Sequence, residues 1–233
     1  MTNILLTGAS RGIGAAAHAA LTAAGCTVIG QSTAGGNGLI AADFASPRAA
    51  EALWAEALDR AGGHIDVLVN NAGVFEAADI ADADGFASAW ARSHAINLQS
   101  AADLCRHAVL HFQAQGGGRI INVASRAGHR GDSPMHWHYA AAKGGMLAMT
   151  KSIARAYAAQ NILAFSITPG FTMTGMAEDY LASRGGDKLL ADIPLGRVAS
   201  ANEVAETIRW LATTAPASLT GATIDINGAS YVR

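Results

Sequence analysis

The sequence has few charged residues, little net charge and no long apolar segment. Asp, Glu, Lys and Arg make up only 15% of its 233 residues, and the formal net charge is -2. A surface without excess positive charge offers no field to hold nucleic acid or an anionic membrane. No apolar run approaches the roughly 20 residues of a membrane span, and the amino terminus lacks a basic segment followed by a long apolar one. We therefore expect a cytoplasmic protein whose partners are small molecules and other copies of itself.

Cysteine is also scarce. The chain has two, Cys26 and Cys105, which lie far apart and form no Cys-x-x-Cys motif. An isolated free cysteine usually behaves as a small buried hydrophobic residue. His136 and His138 lie close together, but no carboxylate or cysteine joins them at the spacing of a metal site. The sequence therefore indicates neither cysteine chemistry nor a bound metal.

Hydrophobic residues make up 51% of the chain, and they occur in a regular order. Short apolar runs alternate with Ala-rich stretches of helical spacing, which is typical of β-α-β units and predicts parallel strands. The expected strands are 3–7, 26–30, 65–70, 119–124, 162–168 and 223–227, and the expected helices are 12–24, 47–60, 86–113, 139–159 and 202–213. The predicted fold is a doubly wound parallel sheet, or Rossmann fold, with three α/β/α layers.

Two segments interrupt this order. Residues 30–43 are too short and too rich in glycine for a full helix, so the crossover after the second strand is expected to be shortened to a loop. Residues 172–194 turn polar and contain glycine, a composition typical of a mobile lid over a site. No repeat or linker divides the chain, so we expect residues 1–233 to form one domain.

A glycine-rich turn follows the first predicted strand. The segment Gly8-Ala-Ser-Arg-Gly12-Ile-Gly14 joins that strand directly to an Ala-rich helix. Glycines let the backbone turn tightly and approach a pyrophosphate, while the helix amino terminus offers free N–H groups. Ordinary strand-to-helix turns share such glycines, but here strand, glycines and helix follow in the order that dinucleotide binding requires.

Four motifs carry a resemblance to a known family. They are TGASRGIG at 7–14, NNAG at 70–73, Tyr139-x-x-x-Lys143 and Pro169-Gly170. In this order they resemble short-chain dehydrogenases/reductases of the classical type, and the carboxyl-terminal TGATIDINGASYVR is similar to that of bacterial 3-oxoacyl-carrier-protein reductases. The resemblance covers essentially the whole chain. It implies a single dinucleotide-binding oxidoreductase domain that moves a hydride between a nicotinamide dinucleotide and a carbonyl or secondary alcohol.

Hydride transfer to a carbonyl carbon leaves charge on the oxygen, so the site needs a proton donor and a polar group near that oxygen. Tyr139 and Ser125 fit these two catalytic roles. Tyrosine titrates near about 10 when free, and the ammonium of Lys143, four residues along the same helix face, would favour its anion. The resemblance adds Asn97, which in relatives holds a water that relays protons to the lysine; a buried structural asparagine is the alternative.

The residues at the end of the second predicted strand indicate whether the cofactor is NADP(H) or NAD(H). In dinucleotide folds an acidic residue there binds the ribose 2′-hydroxyl, but this chain has Gln31 and Ser32 instead. Arg11 lies in the glycine-rich turn, where similar NADP-dependent members carry a basic residue. NADP(H) is therefore favoured, and NAD(H) stays an alternative because NAD-dependent relatives also carry that arginine.

Several further residues are expected at the cofactor, most of them implied by the resemblance. For Asp43 a plain turn role is the alternative. The predicted cofactor-binding residues are Gly8, Ser10, Arg11, Gly12, Ile13, Gly14, Gln31, Ser32, Asp43, Phe44, Asn70, Ala72, Gly73, Tyr139, Lys143, Pro169, Gly170, Thr172 and Thr174.

The loop 126–138 crowds arginines and histidines near the predicted site, which suggests a polar or anionic substrate unless these side chains are simply solvated. Ser125 and Tyr139 are one residue further apart than expected for close relatives, so this loop is expected to carry an insertion. Phe165 stands where the family often has asparagine. The fold itself does not name the substrate.

Two questions about function and assembly stay open at this point. A nucleotide-binding sensor or scaffold that keeps the fold without catalysis is the alternative function, although such proteins normally lack the tyrosine or the lysine. The predicted helices 86–113 and 139–159 carry more apolar surface than one sheet face can cover. In the resembling family these helices pair across a two-fold axis, and a second interface forms at the carboxyl terminus, so we expect a homotetramer.

Overall fold

The computed structural model describes residues 1–173 and 186–233, leaving out the side chains of residues 187–189. Its main sheet has seven parallel strands in the order β3-β2-β1-β4-β5-β6-β9, and β7 and β8 form a separate parallel pair. The strands are β1 Asn3–Leu6, β2 Thr27–Ser32, β3 Ile40–Ala41, β4 Val67–Asn70, β5 Gly118–Val123, β6 Ile162–Pro169, β7 Thr172–Met173, β8 Ala199–Ser200 and β9 Thr223–Ile226. The chain order reverses its direction between β1 and β4, which is where ligands bind in doubly wound sheets.

Helices cover both faces of this sheet. The helices of the described residues are α1 Gly12–Ala23, α2 Ala49–Arg60, α3 Ala83–His94, α4 Ser100–Gln115, the one-turn α5 Ala127–Arg130, α6 Trp137–Tyr157, α7 Gly186–Ala191 and α8 Ala201–Thr213, and it is α2, α4 and α6 on one face and α1 and α8 on the other that pack on the sheet. None of the helices in the described ranges has the length and apolarity that crossing a membrane requires.

The core divides into two layers because successive strand residues point to opposite faces. Leu5 packs with α2, α4 and α6. Its neighbours Ile4 and Leu6 pack with α1 and α8 on the other face, as does the fully buried Phe165. The strands are therefore apolar on both sides, and the predicted three-layer α/β/α architecture is confirmed.

The predicted shortening of one crossover is also confirmed. β2 ends at Ser32 and β3 begins at Ile40, with no helix between them. The connection turns through four consecutive residues with positive φ, Gly35, Gly36, Asn37 and Gly38, and at the three glycines this conformation carries no steric cost from a side chain. The carboxyl end of β2 is therefore followed by a short loop.

The long helix expected over 86–113 is two helices joined by a π-helical turn, Ala95–Gln99. The first begins earlier than expected because the Asp82 carboxylate caps it, accepting a hydrogen bond from the Gly85 N–H at 3.0 Å. The predicted lid over 172–194 falls partly outside the described residues, and its described ends form β7 and α7.

Candidate active site

The glycine-rich turn between β1 and α1 leaves room for a phosphate group. Gly8 has a φ of 66°, and a Cβ placed on Gly14 would lie 1.9 Å from the Gly8 carbonyl oxygen. A side chain at Gly14 would therefore force helix and turn apart. Among the described residues no side chain caps the amino terminus of α1, where Arg11 is extended and exposed. The first N–H groups of α1 can therefore bind an anion, which fits a dinucleotide pyrophosphate.

Thr7 and Asn71, which are not among the predicted site residues, connect this turn to the end of β4 through hydrogen bonds. The Asn71 amide nitrogen donates to the carbonyl oxygens of Thr7 at 3.0 Å and Gly8 at 3.1 Å. The Thr7 hydroxyl oxygen accepts from the backbone N–H groups of Asn71 and Ala72 at 2.9 and 3.0 Å. Both residues belong to the motifs TGASRGIG and NNAG, so the motifs themselves carried the signal.

Gln31 is placed beneath the turn, not at an exposed rim. Its side chain is only 2% exposed, its amide nitrogen donates to the Ala42 carbonyl at 2.6 Å, and its amide oxygen accepts from the Gly8 N–H at 2.9 Å. Ser32 is also buried and exchanges hydrogen bonds with Gly35. Thr33 is the first exposed residue after β2.

The remaining residues predicted on the adenosine side are dispersed. Asp43 is exposed and its carboxylate accepts from the Ala45 N–H at 3.0 Å, as in an Asx turn. Phe44 is buried in the core on the α2 face. Asn70 joins β4 to β5 through its amide nitrogen, which donates to the Asn122 side-chain oxygen at 2.8 Å. Its own side-chain oxygen is buried without a hydrogen-bond partner in the described part of the chain.

Ser125, Tyr139 and Lys143 lie together at the end of β5. Ser125 follows that strand, while Tyr139 and Lys143 are one turn apart on α6. The Lys143 Nζ donates to the Val123 carbonyl at 2.8 Å and lies 5.9 Å from the centre of the Tyr139 ring. Burial raises the pKa of Tyr139, and the hydrogen bond with Ser125 acts in the opposite direction. Burial lowers the pKa of Lys143, which is 3% exposed, to about 8.

Asn97 lies in the π-helical turn and is fully buried. Its side-chain oxygen accepts from the Val74 N–H at 2.9 Å, and its amide nitrogen donates to the Val74 carbonyl at 3.0 Å and the Ser93 hydroxyl at 2.9 Å. A Cβ on Gly73 would lie 2.8 Å from the Asn97 oxygen and 3.6 Å from the Lys143 Nζ. Asn97 therefore fixes the main chain at Val74, next to Lys143. Only glycine fits at position 73, between the side chains of Asn97 and Lys143.

The end of β6 borders the site from the other side. Gly170, which follows Pro169, donates its N–H to the Ile226 carbonyl at 2.9 Å and accepts from the Thr172 hydroxyl at 3.2 Å. The Arg126 N–H donates to the Pro169 carbonyl at 3.1 Å. Thr174, the last predicted cofactor contact, lies outside the described residues.

The arginines of the loop after Ser125 both contact Asp192. The Arg126 guanidinium lies 3.3 Å from its carboxylate and the Arg130 guanidinium 2.9 Å. Arg130 also donates to the Ser230 carbonyl at 2.9 Å, and His129 stacks on Tyr231 with ring centres 5.3 Å apart. This loop is therefore joined to the carboxyl-terminal segment. No cluster of three His, Cys, Asp or Glu able to hold a metal ion occurs in the described ranges.

Comparison with known proteins decides the family. A family model described as enoyl-(acyl carrier protein) reductase matches residues 8–229. The 3-oxoacyl-(acyl-carrier-protein) reductase FabG of Vibrio cholerae is 34% identical over 240 residues, covering 98% of this chain and 96% of its own. The chain belongs to the short-chain dehydrogenase/reductase family. This short-chain dehydrogenase/reductase is therefore an NAD(P)-dependent oxidoreductase acting on CH–OH or C=O groups.

Other relatives of this short-chain dehydrogenase/reductase agree with that assignment. The 3-oxoacyl-(acyl-carrier-protein) reductase of Synechocystis is 36% identical over 242 residues, covering 96% of this chain and 94% of its own. Among solved structures, a putative 2-deoxy-D-gluconate 3-dehydrogenase from Agrobacterium tumefaciens with bound NADP superposes with a TM-score of 0.89. It is 27% identical, and the match covers 100% of this chain and 97% of that one.

Proposed function

We propose that this chain is an NADP(H)-dependent oxidoreductase that interconverts a small-molecule carbonyl and its secondary alcohol. The observation that carries the proposal is the grouping of the partly exposed Tyr139 with the buried Ser125 and Lys143 at the end of β5. It lies along the same edge of the sheet as the turn between β1 and α1, which is where doubly wound folds commonly bind dinucleotides. A sensor or scaffold would not need an acid/base group there.

The residues present fit a nicotinamide dinucleotide. Gly8, Gly14 and the uncapped start of α1 would hold the pyrophosphate, and Gly73 gives close access to Lys143. When bound, the cofactor supplies or accepts the hydride. The chain itself provides the proton chemistry and the positioning.

In the direction of carbonyl reduction, the Ser125 hydroxyl would donate a hydrogen bond to the substrate oxygen and hold it beside Tyr139. The Tyr139 hydroxyl would donate its proton to that oxygen as negative charge develops on it. Lys143, when protonated, would stabilise the resulting tyrosinate. Asn97 would position the main chain at Val74 and thereby the wall beside Lys143.

The preference for NADP(H) rests on charge near the ribose. The residues at the end of β2 are Gln31, Ser32 and Thr33, and none of them is acidic. The exposed Arg11 lies in the neighbouring turn. An acidic residue at that place would repel a 2′-phosphate, so its absence favours NADP(H) over NAD(H). The NADP bound in the Agrobacterium structure supports this choice.

Three finer expectations accompany this proposal. We place the enzyme in the cytoplasm and expect it to assemble as a homotetramer. The arginines and histidines of the loop 126–138 favour a substrate that carries a polar or anionic group in addition to the carbonyl. The sensor or scaffold remains the competing function. Assays of a panel of ketones and alcohols with NADPH and NADH test the whole proposal. Turnover that disappears in Tyr139→Phe supports it, and a panel without any turnover of the folded wild-type protein refutes it.

A further inference from the structure

An aromatic pair lies beside the proposed proton donor. The rings of Phe75 and His136 are stacked face to face, with centres 3.9 Å apart and planes inclined by only 2°. Phe75 also contacts Tyr139 edge to face, with ring centres 4.9 Å apart and an angle of 81°. Phe75 follows β4 and His136 precedes α6, so two separate elements bring these rings together.

Phe75 keeps a free surface although it lies next to a buried site. It is 42% exposed, while His136 and Tyr139 are only partly exposed. An apolar ring left in water beside a reacting group is a natural contact for the substrate. Neither ring of the pair is needed for the proton chemistry derived above.

The pair is a neutral surface. Burial lowers the pKa of His136, with the neighbouring Asp132 acting in the opposite direction and His138 in the same one. The His136 Nδ1 lies 2.7 Å from the Ser133 hydroxyl, which fixes the plane of the ring. The positive groups of the loop, Arg126 and Arg130, both contact Asp192 instead. The surface next to Tyr139 therefore suits a flat apolar group better than a negative charge.

We propose that Phe75 and His136 form a binding wall for a planar, unsaturated substituent on the substrate carbonyl, so that aryl or conjugated ketones are preferred over saturated ones. The inference rests on the proposed function and specifies its substrate class. The carbonyl oxygen must lie at the Tyr139 hydroxyl, and the centre of the Phe75 ring is 4.9 Å from the centre of the Tyr139 ring. A planar group attached to the carbonyl carbon can therefore stack on the wall.

The test compares matched ketones in the wild-type enzyme and in variants. Acetophenone and cyclohexyl methyl ketone carry a planar and a puckered ring at the same distance from the carbonyl. The ratio of their kcat/KM values cancels any general effect of a substitution on Tyr139. In Phe75→Leu we expect this ratio to fall by about twofold to tenfold, the range of aromatic stacking. His136→Ala should lower it too, while His136→Phe, which keeps a flat ring, should retain it.

Trp90→Leu is the matched control, because Trp90 is 39% exposed and its ring contacts are with Phe86 and His94, its neighbours on α3. It should leave the ratio unchanged. Circular dichroism and NADPH titration establish that each variant is folded. Equal kcat/KM values for both ketones in the wild type, or a ratio unaffected by Phe75→Leu, would refute the binding wall. Either result would still be compatible with the proposed oxidoreductase function. Failure to reduce any ketone of the wider panel overturns both.

Discussion

Lys143→Met should separate stability from catalysis. The ammonium of Lys143 is buried, and burial lowers its pKa from an ordinary 10.5 to about 8. The folded protein therefore disfavours the charged form that carries the proposed function. Methionine has a similar length and no charge, so the variant removes this cost together with the proton chemistry. Turnover should be lost.

The magnitude follows from the pKa difference. Each pKa unit corresponds to about 1.4 kcal/mol, so keeping the ammonium charged in the folded state costs about 3 kcal/mol. That cost is present in full below pH 8 and is relieved as the pH rises toward 10.5, where the folded chain has released the proton that the unfolded chain still holds. Methionine also leaves the Val123 carbonyl without its partner, which costs about 1–3 kcal/mol. At neutral pH the variant should therefore be as stable as the wild type or up to about 2 kcal/mol more stable.

The dependence on pH is the decisive measurement, because the lost hydrogen bond does not change with pH. Urea unfolding of cofactor-free protein, at one protein concentration, gives the free energy of unfolding of both proteins. Between about pH 8 and about pH 9.5 the wild type should gain about 2 kcal/mol relative to Lys143→Met. Parallel pH profiles for the two proteins would show that the lysine is not charged at a cost in the folded state.

Three further outcomes are expected. Tyr139→Phe should lose about 10²–10⁴-fold in turnover while NADPH binding survives, because the substitution removes the proton donor and keeps the ring; a wild-type rate in the folded variant contradicts the mechanism. Thr33→Asp should shift binding toward NADH, as titration with both reduced cofactors would show, whereas Gln31→Asp places the charge in the interior and should lower the unfolding midpoint instead. Light scattering behind size exclusion should show a tetramer; a monomer at micromolar concentration rules out the predicted assembly.

The fold was predictable because two simple periodicities dominate the chain. The strands end within two residues of their expected positions, since short apolar runs flanked by glycine or polar residues have few alternative structures. The shortened crossover was predictable because the glycines of residues 30–43 cannot sustain a helix. The edge strand Ile40–Ala41 was missed because two residues carry no period.

The π-helical turn Ala95–Gln99 shows a different limit. The helical apolar pattern continues through this segment, and no feature of the sequence indicates that the turn contains one residue more than an α-helical turn. Within this turn, Asn97 makes hydrogen bonds through its side chain to the main chain of Val74, which is 23 residues away in sequence. Contacts of this kind, like that of Arg130 with Asp192, link segments whose proximity only the fold creates.

The buried position of Gln31 could not be predicted from the sequence. Its position at the end of β2 led to the expectation that it faces the ribose. β2 lies between β1 and β3 in a sheet covered on both faces, so its last residues are buried whichever way they point. Alternation along the strand therefore carries no information about which side chain reaches the ligand. Because Gln31 satisfies the Gly8 N–H, it supports the turn from below, and we propose that the first residue beyond the buried strand, Thr33, faces the ribose instead.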